Sequence, residues 1–287
     1  MSSTSDAYAP LESAHGDTAD GRGILYPAKL PVFHRVTAPA DMAGLVRWFW
    51  VPRWDLAPGR TLRQTLLPFP ASNLVVEASG VTYNGPTTGV SHRDLRGRGW
   101  AVGALLRPAA SAALGFVPGD SVDQSLEVHV PGLVQSVTEA MSTVSPSGPE
   151  HEVAARVFSE WIRGAASPID DAGDRANKLE SLVASDQSVM RVSQLADRMG
   201  YSARSIQRLS RDYIGLPPLA VIRRYRLQEA SQRLRDDPQV TVGQIAAELG
   251  YADHAHLDAD FRSVLGFSPT SYRSNDASPP RTPSNQG

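Results

Sequence analysis

Arg204, Gln207, Arg208 and Arg211 are the residues of this chain whose types and spacing suggest a chemistry. An arginine fork can donate two hydrogen bonds to the major-groove edge of guanine, and a glutamine amide can pair with adenine. Arg204, Gln207 and Arg208 are therefore candidates for reading bases. Arg211, Arg223 and Arg224 are candidates for phosphate contact, which fixes position without specifying sequence. From Arg191 to Arg226 eight arginines face only Asp197 and Asp212, a local charge of +6 within a 287-residue chain of net charge −2. A solvated surface charge is the plainer account of any single arginine. As a set, they form the electrostatic footprint expected of contact with double-stranded DNA.

These side chains need a helix to carry them. Val192, Leu195, Ala196 and Met199 recur at helical spacing, and Gly200 supplies a residue free to take positive φ. Ser202 can cap a second helix of about Ala203 to Ile214, with Ile206, Leu209 and Tyr213 as its buried stripe. Helix, sharp turn and second helix make a helix-turn-helix, whose second helix enters the major groove N-terminal end first. Ser202 and Ser205 at that end join the DNA-contact candidates. The pattern recurs: Val192/Val242, Gln194/Gln244, Ala196/Ala246, Gly200/Gly250 and Tyr201/Tyr251 match at a shift of 50. Gly215/Gly266 and Pro218/Pro269 match at 51. Leu219, Ile222, Tyr225, Leu227, Ala230 and Leu234 suit a long helix joining the two units.

Residues 175 to 274 resemble the DNA-binding domain of the AraC/XylS family of bacterial transcription regulators. The resemblance rests on Ala196, Gly200, Gln207-Arg208, Gly215 and Pro218 in the first unit, and on Arg226-Leu227 and Ala230 in the connecting helix. Ile245-Ala246, Gly250-Tyr251, Asp253, Phe261 and Gly266-Phe-Ser-Pro269 carry it through the second. It implies an effector-responsive activator that contacts RNA polymerase, with repression as an alternative. The second unit departs from the pattern, with Ala259 where a basic residue is usual and Asp258 and Asp260 flanking it. His254 and His256 are its candidate DNA contacts. The two aspartates are expected to repel phosphates, so this unit is expected to bind weakly or to engage another protein.

The preceding residues read differently. Residues 1–24 and 275–287 are polar and are expected to be disordered. Residues 25–165 are expected to form a β-rich sensing or dimerisation domain, joined by a linker at 166–174 to the helical domain at 175–274. Strands are expected at Leu45–Val51, Thr65–Leu67, Leu74–Glu77, Val81–Tyr83 and Trp100–Leu106, with Asn84-Gly85 as a hairpin turn. A helix is expected at Ala109–Leu114. Helices at Gly132–Met141 and Glu150–Ile162, separated by a break at Ser145–Pro149, could cover the sheet or make a dimer interface. Trp48, Trp50, Tyr83 and Trp100 are candidates for lining an effector cavity, against the alternative that they fill a core. This half also resembles, more weakly, an N-terminal domain attached to such regulators. Its cues are the tryptophan-rich first strand and Val102-Gly103…Arg107-Pro108.

The fold class is thus α+β, a β-rich domain followed by an all-α one. The absence of cysteine excludes disulfides and thiolate chemistry. His34, His92, His129 and His151 show no metal-ligand spacing, and there is no G-x-S-x-G or phosphate loop, so no enzyme, metal or cofactor is expected. No apolar run approaches the ~20 residues that cross a bilayer. The expected protein is cytoplasmic and nucleoid-associated, binds no membrane, and admits a small-molecule effector and a homodimer. The rival reading is a protein-interaction module with weak or lost DNA binding.

Overall fold

The computed structural model describes residues 32–142 and 150–274. The expectations for residues 1–24, for the break at Ser145–Pro149 and for residues 275–287 lie outside them. The β-rich half opens with β1 (Val32–Thr37), β2 (Val46–Asp55) and β3 (Thr61–Leu66), followed by β4 (Asn73–Glu77) and β5 (Gly80–Asn84). Next come β6 (Ser91–Arg96), β7 (Arg98–Trp100), β8 (Val102–Leu106), helix α1 (Pro108–Ala113) and β9 (Ser125–Val128). The main sheet is antiparallel, in the order β1-β2-β8-β4-β5-β9 with β7 also on β2, and β3 and β6 form a separate ribbon.

Alternation divides the residues of the main sheet between two faces. Phe49, Val51, Leu74, Val76, Val102, Ala104 and Leu106 point to one core. That core is closed by Leu133, Val137 and Met141 of α2 (Pro131–Ser142) and by Phe158 and Ile162 of α3 (Glu150–Ala165). These two helices therefore cover the sheet. A register shift between Val46 and Trp48 turns Val46 to the same core. Trp48 and Leu105 point the other way, into a cluster shared with the helical domain.

Two sequence expectations are corrected here. Asn84-Gly85 does not turn a hairpin, since β4 and β5 join through Glu77↔Gly80. Gly85 instead lies where a Cβ would meet the Ser121 carbonyl oxygen at 1.9 Å. Tyr83 lines neither of the two cavities described below: it is fully buried, donates to Ser72 Oγ at 2.8 Å and stacks on Phe116.

The helical half comprises α4 (Asp171–Ser185), α5 (Val192–Met199), α6 (Ala203–Ile214) and α7 (Pro218–Asp236), then α8 (Val242–Glu248), α9 (His254–Leu265) and α10 (Pro269–Arg273). The repeat has a physical counterpart at each step. Gln194 accepts from the Arg191 N–H and Gln244 from the Thr241 N–H, tying down the starts of α5 and α8. Gly200 and Gly250 both take the left-handed conformation, at φ 71° and 74°. Ser202 then caps α6 through the Ser205 N–H, as Asp253 caps α9 through the His256 N–H. The long helix α7 is buried on both sides: Val221, Ile222 and Tyr225 join the first unit's core, and Leu227, Ala230 and Leu234 join the second's.

The two halves are docked on each other. Phe69 of the β half packs edge-on against Tyr225, and Leu67 enters the second unit's core. Asn177 on α4 donates to the Gly44 carbonyl and accepts from the Ala109 N–H. Gly215, at φ 82°, ends α6 against the backbone of Pro118, 2.7 Å from where a Cβ would stand. Gly266 ends α9 at φ 77° in open space. Each alanine replacement forfeits the left-handed freedom, at about 1–2 kcal/mol. Only Gly215→Ala also pushes the domains apart, so it is expected to lower the denaturant midpoint clearly more than Gly266→Ala. Equal shifts would show that the Pro118 contact contributes nothing.

Candidate nucleic-acid interface

Helix α6 sorts its residues by face. Ile206, Ser210 and Ile214 are buried, and Ser210 ties the helix end to the Leu216 carbonyl at 2.7 Å. Arg204, Gln207, Arg208 and Arg211 fall at i, i+3, i+4 and i+7 and are all exposed. None of the three arginines has an ion pair among the described residues. Ser202 and Ser205 are joined at the helix start, Oγ to Oγ at 2.9 Å, and Ser202 remains exposed. The helix dipole adds positive potential at this end. Tyr201, which the sequence marks only as a repeat position, stands 42% exposed at the same end, while its counterpart Tyr251 is buried.

The eight arginines of the basic stretch divide by structure. Arg226 is fully buried and its guanidinium closes the end of α4, donating to the carbonyls of Val183 at 2.9 Å and Asp186 at 2.6 Å. Arg224 is not a phosphate contact in this arrangement. It is 7% exposed and donates to the carbonyls of Thr87 at 3.0 Å and Thr88 at 2.9 Å in the β half. Burial lowers its pKa, and the charge of Asp123 opposes that shift. Arg198 pairs with Asp186. Arg223 stays exposed with a long 3.7 Å contact to Asp260. Arg191, Arg204, Arg208 and Arg211 remain as exposed arginines with no ion pair among the described residues.

The second unit is less acidic than its sequence. Asp260 lies against Arg223, and Asp258 accepts from Arg262 at 2.7 Å. His254, His256, Ala259 and Arg262 form its exposed side, with His256 edge-on to Tyr251 at 5.2 Å.

The ligand candidates also separate. Trp48 and Trp50 line a cavity of about 450 Å3 between the main sheet and the β3–β6 ribbon. Trp100 lines a different, more open cleft with Arg53 and Glu77. His34 and His151, which sequence spacing left unrelated, stack at 3.8 Å. Burial holds both imidazoles below their usual pKa, the Arg53 charge reinforcing this at His34 and the His34 charge at His151.

Two docked helix-turn-helix units with an exposed basic strip on the first define a DNA-binding fold. Residues 195–275 match a family described as a helix-turn-helix domain. Residues 34–126 match one described as a domain of unknown function. A Streptomyces lividans protein named as AraC-like is 29% identical over 128 residues, 45% of this chain and 40% of that protein. The transcriptional activator RhaS of Escherichia fergusonii is 38% identical over 80 residues, 28% of each chain. A crystal structure of ToxT from Vibrio cholerae shows a loose likeness, with 14% identity over 79% of this chain and 98% of that one and a TM-score of 0.44. The chain thus spans well under half the length of these curated relatives. Over its C-terminal residues it is similar to proteins named as transcription regulators, and its two helix-turn-helix units lie within that stretch.

Proposed function

We propose that this protein is a sequence-specific DNA-binding transcription regulator, an activator that responds to a small molecule held by its β half. The observation that carries this reading is the exposed strip Arg204, Gln207, Arg208 and Arg211 on a helix capped and locked by its turn. The first three would face base edges, with His254 and His256 contributing less from the second unit. Arg211 and Arg223 would meet phosphates, and Tyr201 would lie beside them. Activation would run through contact with RNA polymerase, in the cytoplasm, and a homodimer is compatible with it. The relatives that match are transcription regulators, which favours a regulator over an enzyme. The ion pairs of Asp258 and Asp260 weaken the case for a module that has lost DNA binding.

A route for the response runs through α7. Asp123, a non-glycine residue at φ 57°, lines the 450 Å3 cavity and accepts from the Thr88 N–H at 2.6 Å. Thr87 and Thr88 in turn hold Arg224. The Pro68 carbonyl, between cavity residues Leu67 and Phe69, accepts from Gln228 at 2.9 Å. A ligand that favours one docking of the halves over another would shift the spacing or freedom of the two reading helices. Footprinting the purified protein on its own upstream DNA at several salt concentrations tests the function. A discrete protected site is expected, with log affinity falling linearly against log salt by about 0.9 per phosphate contact. Uniform coating of any duplex would leave only non-specific binding.

A further inference from the structure

The cavity between the main sheet and the β3–β6 ribbon is about 450 Å3, within the ~300–1,000 Å3 range of small-molecule sites. Its floor is two indoles laid flat on glycines. A Cβ on Gly103 would stand 2.0 Å from the Trp50 ring, and one on Gly99 would stand 2.4 Å from the Trp54 ring. The Trp50 Nε1–H is taken by Asn73 Oδ1 at 3.1 Å, which fixes that ring in its plane. Trp48 and Phe69 add apolar wall.

The charged groups around the cavity are engaged. Arg93 pairs with Glu77, and the Asp123 carboxylate holds both the N–H and the hydroxyl of Thr88. The His92 ring lies 3.4 Å from Thr65 Oγ1. Gln64 is different. It is 4% exposed, it lines the cavity, and its amide makes no hydrogen bond among the described residues. Its amide nitrogen and oxygen open onto the cavity, so a ligand entering there can take up both in place of water.

We propose that this cavity binds a neutral, planar aromatic molecule bearing an amide-like edge, which stacks on the Trp50 indole and exchanges hydrogen bonds with the Gln64 amide. The flat floor selects the ring. The unpartnered donor and acceptor of Gln64 select a group with both. No unpaired guanidinium or ammonium lines the cavity among the described residues, so an anionic ligand would lose its hydration without gaining a partner. The ligand's role as effector rests on the regulator reading above; its binding does not.

Three probes of one ring size test the assignment on the full chain: naphthamide, naphthalene and naphthoate, titrated by tryptophan fluorescence with thermal shift alongside. Saturable binding of naphthamide is expected, at least about tenfold tighter than either of the others, a gap of 1.4 kcal/mol in hydrogen bonding. Gln64→Leu is expected to bring naphthamide down to the affinity of naphthalene, and Gly103→Ala, which drives Trp50 into the cavity, to weaken all three. Naphthoate binding as tightly as naphthamide overturns the proposal on the unaltered protein, whether or not the variants fold. So does an absence of saturable naphthamide binding, or a folded Gln64→Leu protein with unchanged affinity. Footprints with and without naphthamide separate the two readings. Tight binding that leaves the footprint unchanged upholds the ligand class and removes its effector role, and a footprint without naphthamide binding removes the ligand class alone.

Discussion

An Arg208→Ala protein is expected to bind its specific duplex more weakly by about 1–3 kcal/mol, roughly five- to 150-fold, while binding to unrelated duplexes falls far less. The expectation follows from geometry. Arg208 lies in the second turn of α6, on the side opposite Ile206 and Ile214, and has no carboxylate to hold it among the described residues. A guanidinium so placed is free to make a bidentate contact with guanine, and alanine offers nothing in return. Arg211→Ala is expected to differ in kind, lowering affinity for all sequences and flattening the salt dependence by about one phosphate contact. His256→Ala should do little, because its ring already leans on Tyr251 and its unit offers few free cations. Titration of the three variants against specific and scrambled duplexes decides the matter. If Arg208→Ala retains operator affinity while His256→Ala abolishes it, the first unit is not the reader.

The helical half was legible in the sequence because its signals are local. A left-handed glycine, a capping serine or aspartate and a glutamine at the start of a helix each act within four residues, and each occurs twice. The β half was legible only where strands are apolar. β4, β5 and β8 read clearly, whereas β6 reads Ser-His-Arg-Asp-Leu-Arg because it belongs to an exposed ribbon, and it was missed. What local pattern cannot supply is the destination of a long side chain. Arg208 and Arg224 look alike in a basic stretch, yet Arg224 ends on carbonyls 136 and 137 residues away. Likewise Trp50 and Tyr83 both looked like cavity aromatics. The glycine facing Trp50 on β8 leaves it lying over the sheet, whereas Ser72, Ser111 and Phe116 enclose Tyr83. Within the linker expected at 166–174, residues 171–174 already belong to α4. Asp170 caps α4 through the Gly173 N–H and accepts from the Tyr213 hydroxyl at 3.0 Å, so the boundary is tied to α6.

The docking of the halves should be most vulnerable at Glu180. This α4 residue is 2% exposed and lies between Arg47 of β2 and Arg107 before α1, with Tyr225 of α7 donating to the same carboxylate. Both arginines keep only 16% of their side-chain surface in water. Glu180→Ala would leave two guanidinium groups in a low-dielectric seam without the carboxylate that lies between them. Breaking a buried pair from one side costs about 3–5 kcal/mol, more than making the pair ever gained. Arg262→Ala, which removes an exposed pair with Asp258, is expected to cost under about 0.5 kcal/mol. The ion triad joins α4 to the β half, so part of the Glu180→Ala loss should appear as separation of the halves, with faster proteolysis in residues 166–170 under native conditions. Denaturant midpoints and limited proteolysis of the two variants give the comparison. Should Glu180→Ala shift the midpoint no more than Arg262→Ala and leave the connecting segment protected, the triad does not hold the halves together. The proposed coupling of the cavity to the helical half would then have to rest on the remaining contacts, those of Arg224, Gln228, Phe69 and Leu67.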